Sequence, residues 1–194
     1  GETLHNPYYR NQLKAGDVMV LDSGAETANA YASDITRTLP IGGTFTSQQR
    51  LIYEIVLRAE MGAIAAVKPG VAYRDVHLGA ARSITVDLMA AGLMKGDPDA
   101  AVAAGAHALF FPHGLGHMIG LDVHDMENLG EQYVGYGDGF TRSKQFGLAY
   151  LRLARTLEPG FTLTVEPGIY FVPALIDQWK ADGTNAEFLN FAEI

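Results

Sequence analysis

The chain contains no cysteine. Disulfide frameworks and thiolate chemistry are therefore excluded, and any metal must be held by Asp, Glu and His. No hydrophobic run is long enough to cross a bilayer, and no signal-peptide pattern stands at the start. Cationic residues are scarce: 14 Lys and Arg face 22 Asp and Glu, giving a net charge of −8, and they form no cluster. That balance argues against nucleic acid or an anionic membrane as partner and suits small neutral or cationic substrates, or bound metal ions. These absences together fit a cytoplasmic protein. The first residue is not Met, which hints at a processed or excised piece. The remainder is ordinary for a globular protein, 48% hydrophobic and 19% charged over 194 residues. A chain of this length fits one domain that buries about 70% of its unfolded surface. No internal repeat, low-complexity tract or linker divides it.

Three of the six histidines, His113, His117 and His124, fall between His113 and Asp125, interleaved with Gly114, Gly116 and Gly120. Imidazole is the side chain best suited to proton transfer and metal ligation near neutral pH, and glycine lets backbones approach closely. The stretch reads as a working site, against the plainer reading of a glycine-rich loop whose histidines are merely hydrogen-bonded. Glycines at 114 and 116 weigh against a helix, so the i, i+4 spacing of His113 and His117 is not a helical zinc motif. In extended chain both point to one face. His124 has the opposite parity and joins them only if the chain bends, for which Gly120 offers a place.

Acidic residues recur at strand ends. The apolar run Val18 to Leu21 closes with Asp22, and Ala30 to Thr38 has the β-branched and aromatic content of a partner strand. A hairpin whose turn is centred on Ala28 places Asp22 directly opposite Asp34, with Cβ atoms about 5 Å apart. Like charges that close require a shared proton or a bridging cation. The competing reading is a register one residue different, or two solvated turn residues. Glu158-Pro159-Gly160 forms a turn opening the alternating strand Phe161 to Glu166, which puts Thr162, Thr164 and Glu166 on one face before Pro167 ends the ladder. Helices are expected from Thr46 or Ser47 to Lys68-Pro69-Gly70, from Tyr73 to Ala91 with Gly92 as cap, over Pro98 to Ala104, and over Pro173 to Asp182. His77 lies beside an apolar stripe and reads as a surface or packing residue. Asn128 to Tyr150 reads as loop.

Asp22, Asp34, His117 and Glu166 thus offer three carboxylates and an imidazole, a set suited to Mn²⁺, Co²⁺, Fe²⁺ or Zn²⁺. Four segments resemble, in order and spacing, the motifs of the metallopeptidases with the pita-bread fold. They are Leu21-Asp22-Ser23-Gly24-Ala25-Glu26; Ser33-Asp34-Ile35-Thr36-Arg37-Thr38; His113 to His117 with Leu121-Asp122-Val123-His124-Asp125; and Thr164-Val165-Glu166-Pro167-Gly168-Ile169-Tyr170. That family includes methionine aminopeptidase, Xaa-Pro aminopeptidase and Xaa-Pro dipeptidase, and the Leu-Asp-Val-His-Asp form looks most like the Xaa-Pro branch.

The resemblance implies an α+β fold in which helices cover a curved antiparallel sheet, forming a single catalytic domain over residues 1–194. It implies two divalent ions (Mn, Co or Zn), a peptide substrate with proline in second position, and attack by a hydroxide bridging ions roughly 3.5–4 Å apart; it admits a homodimer. Asp22 would ligate one ion, Asp34 bridge, His117 ligate the other, and Glu166 ligate and accept the proton of the attacking water. His5 resembles the family's early active-site histidine, while His113 and His124 resemble residues that contact substrate and steady the tetrahedral oxyanion. One departure stands out. The family's fifth ligand, a glutamate in a Gly-Ile-Arg-Ile-Glu-Asp-like strand, has no counterpart, since Glu187 and Glu193 are the only later glutamates and neither context matches. The expectation is a fragment without its N-terminal domain and last strands, binding metal weakly or incompletely. Rival readings keep the fold as a peptide-binding or chaperone module, or as a metal-independent amidinohydrolase like creatinase. A third is an unrelated α/β domain with solvated acids.

Overall fold

A computed structural model describes residues 10–194. Strands β1 (Val18–Ser23) and β2 (Ile35–Pro40) form an antiparallel hairpin. Helices α1 (Ser47–Ala66), α2 (Tyr73–Ala90) and α3 (Pro98–Ala103) follow, and α4 (Pro173–Asp182) comes late in the chain.

Helix α1 begins where a capping box dictates. The Thr46 hydroxyl accepts from the Gln49 amide at 3.2 Å and the Gln49 side chain accepts from the Thr46 amide at 2.9 Å. The Gln49 side-chain amide also donates to the Gly16 carbonyl at 2.8 Å, tying the helix start to the approach of β1. Replacing Thr46 with Ala is expected to cost about 1 kcal/mol, read as a lowered urea midpoint with unchanged slope. Helix α2 ends at Gly92, whose φ of +82° is open to glycine without strain. The amides of Gly92 and Leu93 donate back to the carbonyls of Met89 and Leu88 to close the last turn.

The core forms where α1 presents Ile55, Ala59 and Ala63 to the buried face of α2, including Val76, Ala80 and Ile84. Phe110, Phe111 and Leu115 fill its centre and carry the chain from the helices into the histidine stretch. Two further histidines are enclosed here. His77 and His107 are fully buried, their rings 6.3 Å apart, and neither ring nitrogen of either has a hydrogen-bond partner among the described residues. His77 is a packing residue, set against Phe111 at 5.1 Å.

The hairpin departs from expectation by two residues. Asp22 faces Thr36, not Asp34. The turn is centred on Asn29 because Ala30 adopts a left-handed φ of +64°, with the Ala30 amide donating to Thr27 and the Thr27 amide to Tyr31. This is a three-residue loop of the bulged type, and moving its centre by one residue, from 28 to 29, moves the pairing by two. An even shift preserves the face, so the two aspartates become diagonal neighbours on one side. Residues 30–34 lie outside β2, and both faces of the hairpin are open, with Val20 54% exposed on one and Ile35 52% on the other.

The segment expected as a strand over Phe161 to Glu166 is extended but pairs with the histidine stretch through the single bridge Met118–Leu163. Three flanking bonds keep antiparallel order: Thr164 amide to His117 carbonyl, Glu166 amide to Leu115, and Ile119 amide to Thr162. Residues 128–150 are mostly irregular, as expected, with one π-helical turn over Gln132–Tyr136.

Candidate metal centre

Three segments far apart in sequence converge. The hairpin joins the histidine stretch through the Ala32 amide, which donates to the Gly120 carbonyl at 2.8 Å. The 161–166 segment lies on its other side. Gly116 is what permits this last approach, because a Cβ there would stand 2.1 Å from the Thr164 carbonyl oxygen.

At the junction, ligand atoms of Asp34, His117 and Glu166 all lie within 4.8 Å of one another. The His117 Nε2 sits 3.2 Å from an Asp34 oxygen and 3.2 Å from Glu166 Oε1. Its Nδ1 meets the Met118 carbonyl at 2.9 Å. That contact fixes Nδ1 as the donor and turns Nε2 toward the carboxylates. Asp22 is not among the three residues of this cluster, but its carboxyl is near enough to Asp34 to raise that group's proton affinity. No described glutamate supplies a fifth group to the cluster.

Electrostatics explain how these groups coexist. Burial, the bond to Asp22 and the charges of Glu166 and Asp22 push the Asp34 carboxyl above the usual range, so it holds a proton more readily than a free aspartate. Burial also works against Glu166, but hydrogen bonds from His117 and Thr164 outweigh it and hold the carboxyl below its ordinary value. For His117, burial is overcome by its bonds to Glu166 and Met118, and its affinity for a proton rises. The raised proton affinities of His117 and Asp34 mark the excess negative charge that a divalent cation would neutralise at the same oxygens. The donor set fits such an ion: hard carboxylate oxygens, one oriented imidazole, and excess negative charge.

Of the other residues expected at the site, His124 does arrive. The chain bends between Gly120 and Asp125, closed by the Asp125 amide donating to the Met118 carbonyl at 3.1 Å, and the His124 ring lies edge-on to His117 at 4.3 Å. Its Nδ1 is 3.7 Å from Glu127, which also pairs with Arg152. His113 stands apart from the cluster, packed against Phe111 and with Nε2 3.2 Å from the Tyr170 hydroxyl. Burial lowers the proton affinity of both histidines, joined for His124 by the charges of His117 and Arg152, so both are neutral at pH 7. His5 lies outside the described residues. The cluster opens into a trough of about 3320 Å³, lined by the hairpin, α1 and residues 161–171. That is well beyond the 300–1,000 Å³ of a small-molecule pocket and delimits no proline pocket.

Comparison with known proteins places this geometry. Residues 1–188 match metallopeptidase family M24. The chain belongs to that family. Over 178 residues this M24 chain is 44% identical to the human Xaa-Pro dipeptidase, covering 92% of itself and 34% of that protein. It is 41% identical over 189 residues to a probable Xaa-Pro aminopeptidase of Podospora anserina, covering 97% of itself and 39% of the relative. Among solved structures, proline aminopeptidase P II from Yersinia pestis superposes with a TM-score of 0.72 at 40% identity, covering 88% of this chain and 35% of that one. The M24 chain thus spans about a third of the length of these relatives, and its fold is the pita-bread fold expected. No described helix is long and apolar enough to cross a membrane.

Sequence reading overlooked the groups that position the candidate site residues of this M24 chain. Tyr73 was legible only as a helix start, Tyr170 only as part of a motif, and Glu127 and Arg152 not at all. Thr164 carried a usable signal, its placement on the Glu166 face by strand alternation.

Proposed function

We propose that this chain forms the catalytic part of a peptidase that removes the N-terminal residue from peptides or dipeptides with proline in second position. The observation that carries the reading is the convergence of Asp34, His117 and Glu166 ligand atoms within 4.8 Å. The relatives named Xaa-Pro dipeptidase and Xaa-Pro aminopeptidase supply the substrate class.

Asp22, Asp34, His117 and Glu166 would hold the divalent ions, which supply activation of water and polarisation of the scissile carbonyl. The protein's own groups do the rest. Glu166, kept ionised with one oxygen bonded to Thr164, is the acceptor for the proton of the attacking water. His124, neutral, is the hydrogen-bond donor facing the developing oxyanion, and His113, whose single proton goes to the Gly114 carbonyl, is a substrate contact. Protons, for which Asp34 and His117 both have raised affinity, would compete with an ion at these residues, so ion uptake would strengthen as pH rises. A chaperone or peptide-binding role on the same fold would not need this ligand set. A creatinase-like, metal-free role has the same difficulty.

Asp34→Asn tests the bridging role. Metal content by elemental analysis and hydrolysis of an Xaa-Pro peptide should both fall sharply in the variant. Retained hydrolysis with full metal content would remove Asp34 from the mechanism. The same assays on this 194-residue chain and on any longer polypeptide containing it address the absent fifth ligand. Full stoichiometry and activity in the 194-residue chain would direct attention to Glu193, which lines the same trough.

A further inference from the structure

We propose that Thr164 is a positioning residue that sets two of the candidate ligands, His117 and Glu166, at once; the inference rests on the metal site proposed above. Its hydroxyl donates to Glu166 Oε1 at 2.6 Å and accepts from the His117 backbone amide at 3.0 Å. A hydroxyl has one proton and two lone pairs, so donation to the carboxylate and acceptance from the amide are compatible and leave its orientation fixed. Glu166 Oε1 is also the oxygen 3.2 Å from His117 Nε2. One side chain therefore sets both the backbone from which the imidazole projects and the carboxylate oxygen that faces the ring.

The main chain of Thr164 is anchored just as fully. Its amide donates to the His117 carbonyl at 2.9 Å, and its own carbonyl accepts from the Tyr73 hydroxyl at 2.5 Å. Tyr73 is the first residue of α2 and is wholly buried in the core. The ligand pair is thus referenced through Thr164 to the buried core. Gly116 completes the device, since a Cβ at that position would lie 2.8 Å from the Thr164 hydroxyl as well as colliding with its carbonyl. Removing the partners that orient a metal ligand costs 10–100-fold in affinity in other metal sites.

Two substitutions separate the hydroxyl from the shape. Thr164→Val keeps the β-branched volume and loses the hydroxyl; Thr164→Ser keeps the hydroxyl and loses a methyl. Mn²⁺ titration calorimetry should show about 10- to 100-fold weaker binding for Thr164→Val and, for Thr164→Ser, affinity within about threefold of the parent. Parent-like binding by Thr164→Val, or a Thr164→Ser variant about tenfold or more weaker than the parent, would overturn the proposal, and the second outcome decides even where Thr164→Val does not fold. Crystal structures without metal give a readout that does not depend on the ion. In Thr164→Val or, failing that, Thr164→Ala, Glu166 should leave His117, and a retained 3.2 Å contact counts against Thr164. If the parent itself takes up no Mn²⁺, the proposed function falls, and the metal-free structures still decide the role of Thr164.

Discussion

Mild acid is expected to unfold this chain, and His77 and His107 are the reason. Burial, with the neighbouring His107 and His113, pushes His77 down to about 3, and burial pushes His107 down to about 4. Both lie below the ordinary value of about 6.5 for an exposed imidazole. Below pH 6.5 the unfolded chain takes up two protons that the folded chain refuses. The stability these residues contribute is therefore fully present above pH 6.5 and is lost as pH falls toward 4 for His107 and 3 for His77. Each histidine costs about 1.4 kcal/mol per pH unit in that window. From pH 6.5 to 4.5 the pair amounts to about 5 kcal/mol, comparable with the whole stability of a small domain at 5–15 kcal/mol. Asp34 works in the opposite sense, since a carboxyl raised in the folded state gains stability as pH falls, and it offsets part of the loss. Urea midpoints measured across this range should drop steeply for the parent. They should drop much less for the double variant His77→Leu, His107→Leu, which has nothing to protonate. An equal drop in both proteins would assign acid lability elsewhere.

His117→Ala should weaken Mn²⁺ binding by more than about 100-fold, beyond what loss of a ligand's hydrogen-bond partner costs. His117 is the only nitrogen in the group, and its Nε2 faces both Asp34 and Glu166 at 3.2 Å. Without it the oxygens lose the group that lies between them, and an ion would have to be held by carboxylates and water alone. Titration calorimetry checks the affinity, and elemental analysis after gel filtration checks stoichiometry. His113→Ala is the control, since His113 contributes no atom to the cluster. Equal losses in the two variants would show that the histidine stretch acts through its fold and not through one imidazole.

Much of this was readable from residues alone where the cause is local. The capping box set the start of α1, the step-four apolar positions set the buried face of α2, and Gly92 marked its end. The bend that brings His124 back to His117 followed from parity and Gly120. The hairpin register was not readable, because it turns on Ala30 adopting a left-handed conformation that alanine seldom takes. Face identity survived only because the error was even. The weak pairing of 161–166 was hidden for another reason: the partner is a glycine-broken stretch whose bonds are set by tertiary approach. The same distance in sequence concealed Tyr73, which reaches Thr164 across 91 positions.

The two aspartates sit on a two-stranded hairpin, an element that is marginal by itself, while the imidazole and Glu166 stand on segments fastened to the core. An ion captured between them is a rivet as well as a cofactor. Any affinity measured for it is the intrinsic affinity scaled by the fraction of molecules in which the hairpin is already seated. A substitution that loosens that seat, even one remote from every ligand, would then register in a titration as a poorer metal site.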